Sequence, residues 1–271
     1  MGDSFDRALF TMLGKRQKPM SDKVRYIITC PARTGSSALV NYLMSHPDIC
    51  SHGEVFAPKA AVLYGIHARL NPPLLDLMLE LRTQDPIKFL HGYVFYAGKR
   101  KAVGLKFKFE ELSLPQYQEI ADHIRRDTDI KVIFLTRKNL LKRYVSQHLA
   151  IHVYKKFNQH KGQPLPPAAT IRLSAAECEK EFAYTRERER KFRDYFCEHP
   201  VLEVTYEDLV DTSEHTLGQI QDFLGVERHE LTTKLAKIQQ QPMSKVLENY
   251  DALNAHFAGT DYAVFFDDIV R

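Results

Sequence analysis

Val24–Cys30 (VRYIITC) and Lys131–Thr136 (KVIFLT) are short, almost unbroken runs of β-branched and aromatic residues. That pattern marks strands buried on both faces of a parallel sheet. Each runs directly into helical spacing. Leu39, Leu43 and Met44 carry it in Ser36–Ser45, and a longer helix is predicted from about Asn139 to Lys156. Ala102–Phe109 (AVGLKFKF) predicts a strand with Lys106 and Lys108 on one face, and Val201–Val204 another. Further helices are predicted over Ser4–Leu13 with Ser4 as N-cap, from about Pro58 to Arg82, over Gln116–Arg126, Ser174–Phe196 and Ser213–Leu224, the last closed by Gly225. The RERERK run inside 174–196 reads as a solvated face. His52, Gly53 and Glu54 are assigned to a loop, and the segment 245–266 is mixed and partly helical.

Strands alternating with helices predict an α/β fold: a P-loop-like three-layer arrangement with a mostly parallel central sheet flanked by helices. With 271 residues, no internal repeat and no long linker, the expectation is a single α/β domain over 1–271. Residues 1–22 would form an N-terminal extension. Residues 155–170, with Gly162, Pro164, Pro166 and Pro167, would form a loop or lid.

Composition narrows the classes. A hydrophobic fraction of 44% with 12 Gly and 13 Pro excludes disordered and collagen-like chains. No apolar run approaches the roughly 20 residues of a bilayer span. Asp3, Asp6 and Arg7 break any signal-peptide core, so no integral membrane segment is expected. A net charge of +4 is too mild for a nucleic-acid binder. Its distribution is less even, because the segment 131–156 holds seven Lys and Arg and no Asp or Glu. A one-signed field suggests a polyanionic ligand, or else a solvated helix face. Cys30, Cys50, Cys178 and Cys197 have no paired spacing, which fits a reducing compartment and a cytoplasmic protein. His46, Cys50, His52 and Glu54 cluster in sequence without a second knuckle, and His148 and His152 lack a third ligand. No metal site is predicted.

The chemistry concentrates after the first strand. Laid over a Walker A pattern, Cys30–Ser37 reads C-P-A-R-T-G-S-S: Gly35 and Ser37 match, while Ser36 stands where the phosphate-gripping Lys would be. Strand before and helix after still aim backbone N–H groups at an anion, and Arg33 supplies the nearest positive charge. The natural ligand is a nucleotide whose distal anion is not a triphosphate, the alternative being an unliganded βα turn. Arg137 follows the second strand directly, and Ser146 lies about two and a half helical turns further on. A guanidinium fork and a hydroxyl suit a phosphate. Two strand C-termini aimed at anions are what an open α/β sheet binding a nucleotide presents.

PARTGSSAL after one strand and FLTRKNLLKRYVS after a later one resemble the sulfotransferases that use 3′-phosphoadenosine 5′-phosphosulfate (PAPS). The chain is most similar to the bacterial carbohydrate sulfotransferases of the Nod-factor, lipopolysaccharide and trehalose type. The resemblance runs from about Arg25 to Tyr262 and includes HGEVF (52–56), VTYEDLV (204–210), IQDFLGV and NYDAL (249–253). It implies that Arg33, Thr34, Gly35, Ser36, Ser37 and Ala38 grip the 5′-phosphosulfate, that Arg137 and Ser146 hold the 3′-phosphate, and that Glu54 is the general base. Arg137 to Ser146 is nine residues where many sulfotransferases have eight, so Lys138 is an alternative for the Arg. Lys106 would reach the sulfonate, or else face solvent on an edge strand. Tyr206 would pack near the adenine or in the core. The implied reaction is sulfuryl transfer from PAPS to an acceptor hydroxyl, carbohydrate or lipid-linked, releasing 3′-phosphoadenosine 5′-phosphate (PAP) without a metal. A P-loop kinase of a small metabolite using ATP and Mg²⁺, and a non-catalytic anion-binding module, are the rival readings.

Overall fold

The computed structural model describes residues 23–57, 72–96, 98–238 and 241–267. The helix predicted over 4–13, and the first part of that predicted over 58–82, lie outside these residues. Five strands, β1 (Val24–Thr29), β2 (Ile49–Glu54), β3 (Ala102–Lys106), β4 (Lys131–Thr136) and β6 (Val201–Thr205), form one sheet in the order β2-β3-β1-β4-β6. Every pairing in it is parallel. A separate antiparallel pair joins β5 (Gln159–His160) to β7 (Leu235–Ala236).

Strand alternation splits the core into two layers. Ile27, Val132 and Phe134 face one side, against Ile120 and Ile124 of the helix Gln118–Arg126 and Phe192 of the helix Ala175–Tyr195. Tyr26, Ile28, Ile133 and Leu135 face the other, against Leu39 and Leu43 of the helix Ser36–Met44 and Ile220 of the helix Ser213–Phe223. Helices on both faces of a parallel sheet make the three-layer fold that the sequence predicts. Each fully buried aliphatic or aromatic side chain contributes about 1.5–3 kcal/mol to holding it. A third apolar cluster packs Leu141 and Val145 of the helix Leu140–His148 with Phe182, Phe257 and Phe265.

Several predicted boundaries shift. Residues 49–54 are a strand, not a loop: the polar ICSHGE sequence hides an edge strand whose first five residues are buried. The strand predicted over 102–109 ends at Lys106, the last residue of the β3 ladder. The helix predicted over 139–156 is shorter. Its Asn139 N-cap accepts from the Lys142 N–H, it gives way to a π-helical turn at Leu149–Val153, and Lys155, at φ 49°, turns the chain away. The helix predicted from Ser174 keeps its capping box, Ser174 and Glu177 satisfying each other's backbone N–H groups. No helix among the described residues is long and apolar enough to cross a membrane.

Candidate functional site

Because the sheet is wholly parallel, all its strands end on one edge, and the chemistry sits there. Arg33 follows β1, Glu54 ends β2, Lys106 ends β3, Arg137 follows β4 and Tyr206 follows β6. The loop after β1 turns twice through the left-handed region, at Arg33 (φ 70°) and at Gly35 (φ 80°), the N-cap of the next helix. A side chain rarely tolerates that conformation, so a non-glycine residue held there is a strained position. Thr34 donates its hydroxyl to the Pro31 carbonyl at 3.0 Å, while the Ala32 and Arg33 carbonyls accept from Arg143 (3.1 Å) and Arg137 (3.3 Å). Arg143 is itself buried, paired with Glu181 and hydrogen-bonded to Thr185 at 2.8 Å. Two arginines thus hold the loop's carbonyls where the chain enters the helix Ser36–Met44, whose first-turn N–H groups carry its positive end.

Those N–H groups open on a cleft of about 920 Å³. Its lining holds Gly35, Ser36, Ser37, Ala38, Ser146 and Tyr206 together with Arg33, Arg137, Lys142 and Lys237, and, among the described residues, no Asp or Glu. The Arg33 Nε donates to Ser146 Oγ at 3.1 Å, and its Nη1 donates to the Phe157 carbonyl at 2.8 Å. Arg137 stacks on the Tyr206 ring, 4.3 Å from its centroid, and its Nε is buried with no partner. Burial, and the neighbouring Arg137, lower the Arg33 guanidinium pKa from its ordinary value; burial does the same at Arg137. Two guanidiniums held together this way call for an anion.

Glu54 and Lys106 stand beside this cleft rather than on its wall. Lys106 Nζ lies 2.8 Å from Glu54 Oε1 and donates to Ser37 Oγ at 3.1 Å, while Lys108 Nζ lies 3.0 Å from Glu54 Oε2. Ser37 therefore links the carboxylate to the loop through one lysine. Burial pushes the Glu54 carboxyl up, but Lys106 and Lys108 outweigh it and hold it below the usual carboxylate range. Lys106 is 5% exposed, so it is no solvent-facing edge residue.

Of the sequence-predicted residues, Arg33, Gly35, Ser36, Ser37, Ala38, Arg137, Ser146 and Tyr206 come together at one cleft, with two rearrangements, whereas the Thr34 side chain is buried behind the loop on the Pro31 carbonyl. Ser146 is engaged by Arg33, not by Arg137. Tyr206 is the platform under Arg137 and touches Gly35, where an added Cβ would sit 2.7 Å from its Cδ2. Lys138 is exposed and directs its Nζ to Asp208 at 3.1 Å, away from the cleft, so the geometry favours Arg137 of the two. Lys142 and Lys237 were missed. Lys142 was legible as the residue four before Ser146, on the same helix face. Lys237 arrives only through the β5–β7 pairing. Of the sequence cluster His46, Cys50, His52 and Glu54, Cys50 and His52 meet, Sγ 3.6 Å from Nε2, but the four do not converge. His46 bonds the Glu227 carbonyl at 2.8 Å, His52 bonds Val94 at 2.9 Å, and Glu54 faces the lysines.

Behind Lys108 lies Glu111, 2% exposed, with an oxygen 3.6 Å from Lys108 Nζ. Burial pushes its carboxyl up from 4.5 to about 7. The folded protein therefore holds this proton more tightly than the unfolded chain, and stability should fall from pH 4.5 to about 7 and level above that. Glu111→Gln keeps the capping acceptor for the Lys108 N–H and removes the titration. Urea unfolding at pH 5 and pH 8 should show the variant gaining on wild type by about 2–3 kcal/mol at the higher pH. An equal difference at both would remove Glu111 from this account.

No protein-family model matches the chain. Nodulation protein H of Rhizobium tropici is 29% identical over 250 residues, covering 89% of this chain and 92% of that protein. Nodulation protein H of Rhizobium meliloti (strain 1021) is 26% identical over 249 residues, covering 89% and 94%. Among solved structures, a sulfotransferase from Alicyclobacillus acidocaldarius superimposes with a TM-score of 0.49 at 17% identity, covering 92% of this chain and 96% of that one. The sulfotransferase domain of the curacin biosynthetic pathway gives 0.47 at 13%, covering 92% and 90%. By sequence, the chain is thus similar to nodulation proteins H over most of its length.

Proposed function

We propose that this chain is a sulfotransferase, the reading its motifs support, which draws its sulfuryl group from PAPS and passes it to a hydroxyl of a carbohydrate or glycolipid. The observation that carries the reading is the cleft at the strand C-termini, with four cations, a helix N-terminus and no carboxylate on its described wall. A nucleotide with phosphates at both ends of its ribose fits such a wall, and the partnerless Arg137 Nε fits a phosphate oxygen. PAPS supplies an activated sulfuryl group and departs as PAP.

In this reading Arg33 and the first-turn N–H groups stabilise the charge that builds on the bridging oxygen as its bond to sulfur breaks. Lys106, tied to Ser37, balances the charge on the sulfonate. Glu54 receives the proton of the acceptor hydroxyl as the new oxygen–sulfur bond forms. Arg137, Ser146 and the Tyr206 platform position the 3′-phosphate. A carboxylate clamped by two lysines is a weak base, which suits a proton that is lost late. The four cations provide charge balance of the kind that Mg²⁺ gives ATP in a kinase, and we place the enzyme in the cytoplasm, where PAPS would reach it.

The test is titration calorimetry with PAP in EDTA. Tight binding without a divalent ion is expected, and Arg137→Ala should weaken it about 10–100-fold, the loss of one bidentate charge-assisted contact and its platform. Binding that needs ATP and Mg²⁺ would favour the kinase, and undiminished affinity in Arg137→Ala would remove the 3′-phosphate assignment. Release of PAP on screening sugar and glycolipid hydroxyls would then name the acceptor.

A further inference from the structure

At the opposite end of the sheet, away from the cleft, three metal-ligating side chains from two segments meet. His91 belongs to the π-helical turn Leu90–Val94, His123 to the helix Gln118–Arg126, and Asp127 is that helix's C-cap. All three are half-buried, and one ligand atom from each lies within 4.8 Å of the others. We propose that His91, His123 and Asp127 form a binding site for a divalent transition ion of the zinc class, with a water as fourth ligand.

The geometry of the pair is specific. The two Nε2 atoms point at one another at 2.8 Å, with ring planes 86° apart. Without an ion, one imidazole must donate to the other. The two Nε2 atoms face one another, and a tetrahedral zinc with Zn–N of about 2.0–2.1 Å needs them about 3.3 Å apart with both rings turned toward the ion. An opening of roughly half an ångström and a rotation of the rings would admit it. Two imidazoles and a carboxylate are a borderline donor set, which favours zinc, cobalt or copper over magnesium or calcium.

Asp127 is held by Arg25, which contacts both its oxygens, one of them at 3.0 Å. A carboxylate has about four acceptor positions, so the guanidinium leaves room for an ion and acts as the outer partner that fixes the ligand's direction. The charges facing the site are those of Arg25, Asp127 and Asp129, the last 3.8 Å from Arg25. Asp129 is exposed, and Arg25 and Asp127 balance each other, so with neutral imidazoles the group presents no net positive charge to a divalent ion. The ion would tie the helix Gln118–Arg126 to the turn before β3 and so act on stability, not on transfer.

The experiment uses the untagged full chain and Co²⁺ alone, read by its visible tetrahedral absorption, followed by displacement with Zn²⁺. One equivalent should bind and raise the melting temperature. His91→Ala and His123→Ala, each losing one ligand, should lose more than about tenfold in affinity and the absorption with it. His148→Ala, which breaks another close histidine pair, should bind like wild type. No saturable absorption in the wild type, full binding in His91→Ala or His123→Ala, or loss only in His148→Ala would each overturn the proposal. PAP binding in EDTA is a separate measurement, so neither result depends on the other.

Discussion

Glu54→Gln should cut turnover by about 10²–10⁴-fold, the usual contribution of a positioned general base, while leaving PAP affinity within about twofold. The split follows from where the residue stands. Glu54 is outside the cleft wall and touches the loop only through Lys106 and Ser37, so the nucleotide should keep its contacts. The amide retains an oxygen that one lysine can donate to, so the fold at the end of β2 should survive. It cannot take a proton. The pH profile supplies a second readout. A base is active in its ionised form, and the two lysines hold Glu54 below its ordinary 4.5. The acid limb of kcat/KM in the wild type should therefore lie below pH 4.5, with no loss between pH 5 and 7 from this group. Unchanged turnover in the variant, or an acid limb near pH 6, would take Glu54 out of the mechanism.

The parallel sheet and the loop after its first strand were legible because both rest on local signals. An apolar run against flanking turn residues marks β1 and β4, and the strand–loop–helix order with Gly35 marks the anion site. What escaped depended on neighbours. Residues 49–54 look like a loop since Ser51, His52 and Gly53 carry no strand pattern. They are a strand because β3 offers a ladder and His52 finds the Val94 carbonyl. Burial then silences the imidazole, pushing its pKa down to about 4. The basic run over 131–156 looked like one field and is divided by tertiary structure. Arg137 and Lys142 reach the cleft, Arg143 braces the loop from behind against Glu181, and Lys131 caps the Phe223 carbonyl. Nothing in the linear sequence separates those roles. The strand pattern put Lys106 and Lys108 on one face, but nothing in the linear sequence set them against Glu54.

The second large effect is at Gly35. Gly35→Ala should weaken PAP binding by more than about tenfold and lower the melting temperature, although alanine adds one methyl group and no charge. Two independent costs act. At φ 80° an L side chain is strained by about 1–2 kcal/mol. The new Cβ would also sit 2.7 Å from Cδ2 of Tyr206, so the ring must move. That ring is the surface on which Arg137 lies, and Arg137 in turn holds the Arg33 carbonyl. Displacing Tyr206 thus disturbs the loop and the guanidinium together, at the two places proposed to hold the nucleotide's anions. The double variant Gly35→Ala/Tyr206→Leu separates the terms. It removes the ring clash but keeps the backbone strain and loses the stack, so it should regain melting temperature while PAP affinity stays low. Full recovery of affinity would show that the ring only crowds Gly35 and that Arg137 needs no platform. Wild-type affinity in Gly35→Ala would mean that the loop does not grip the nucleotide in this conformation.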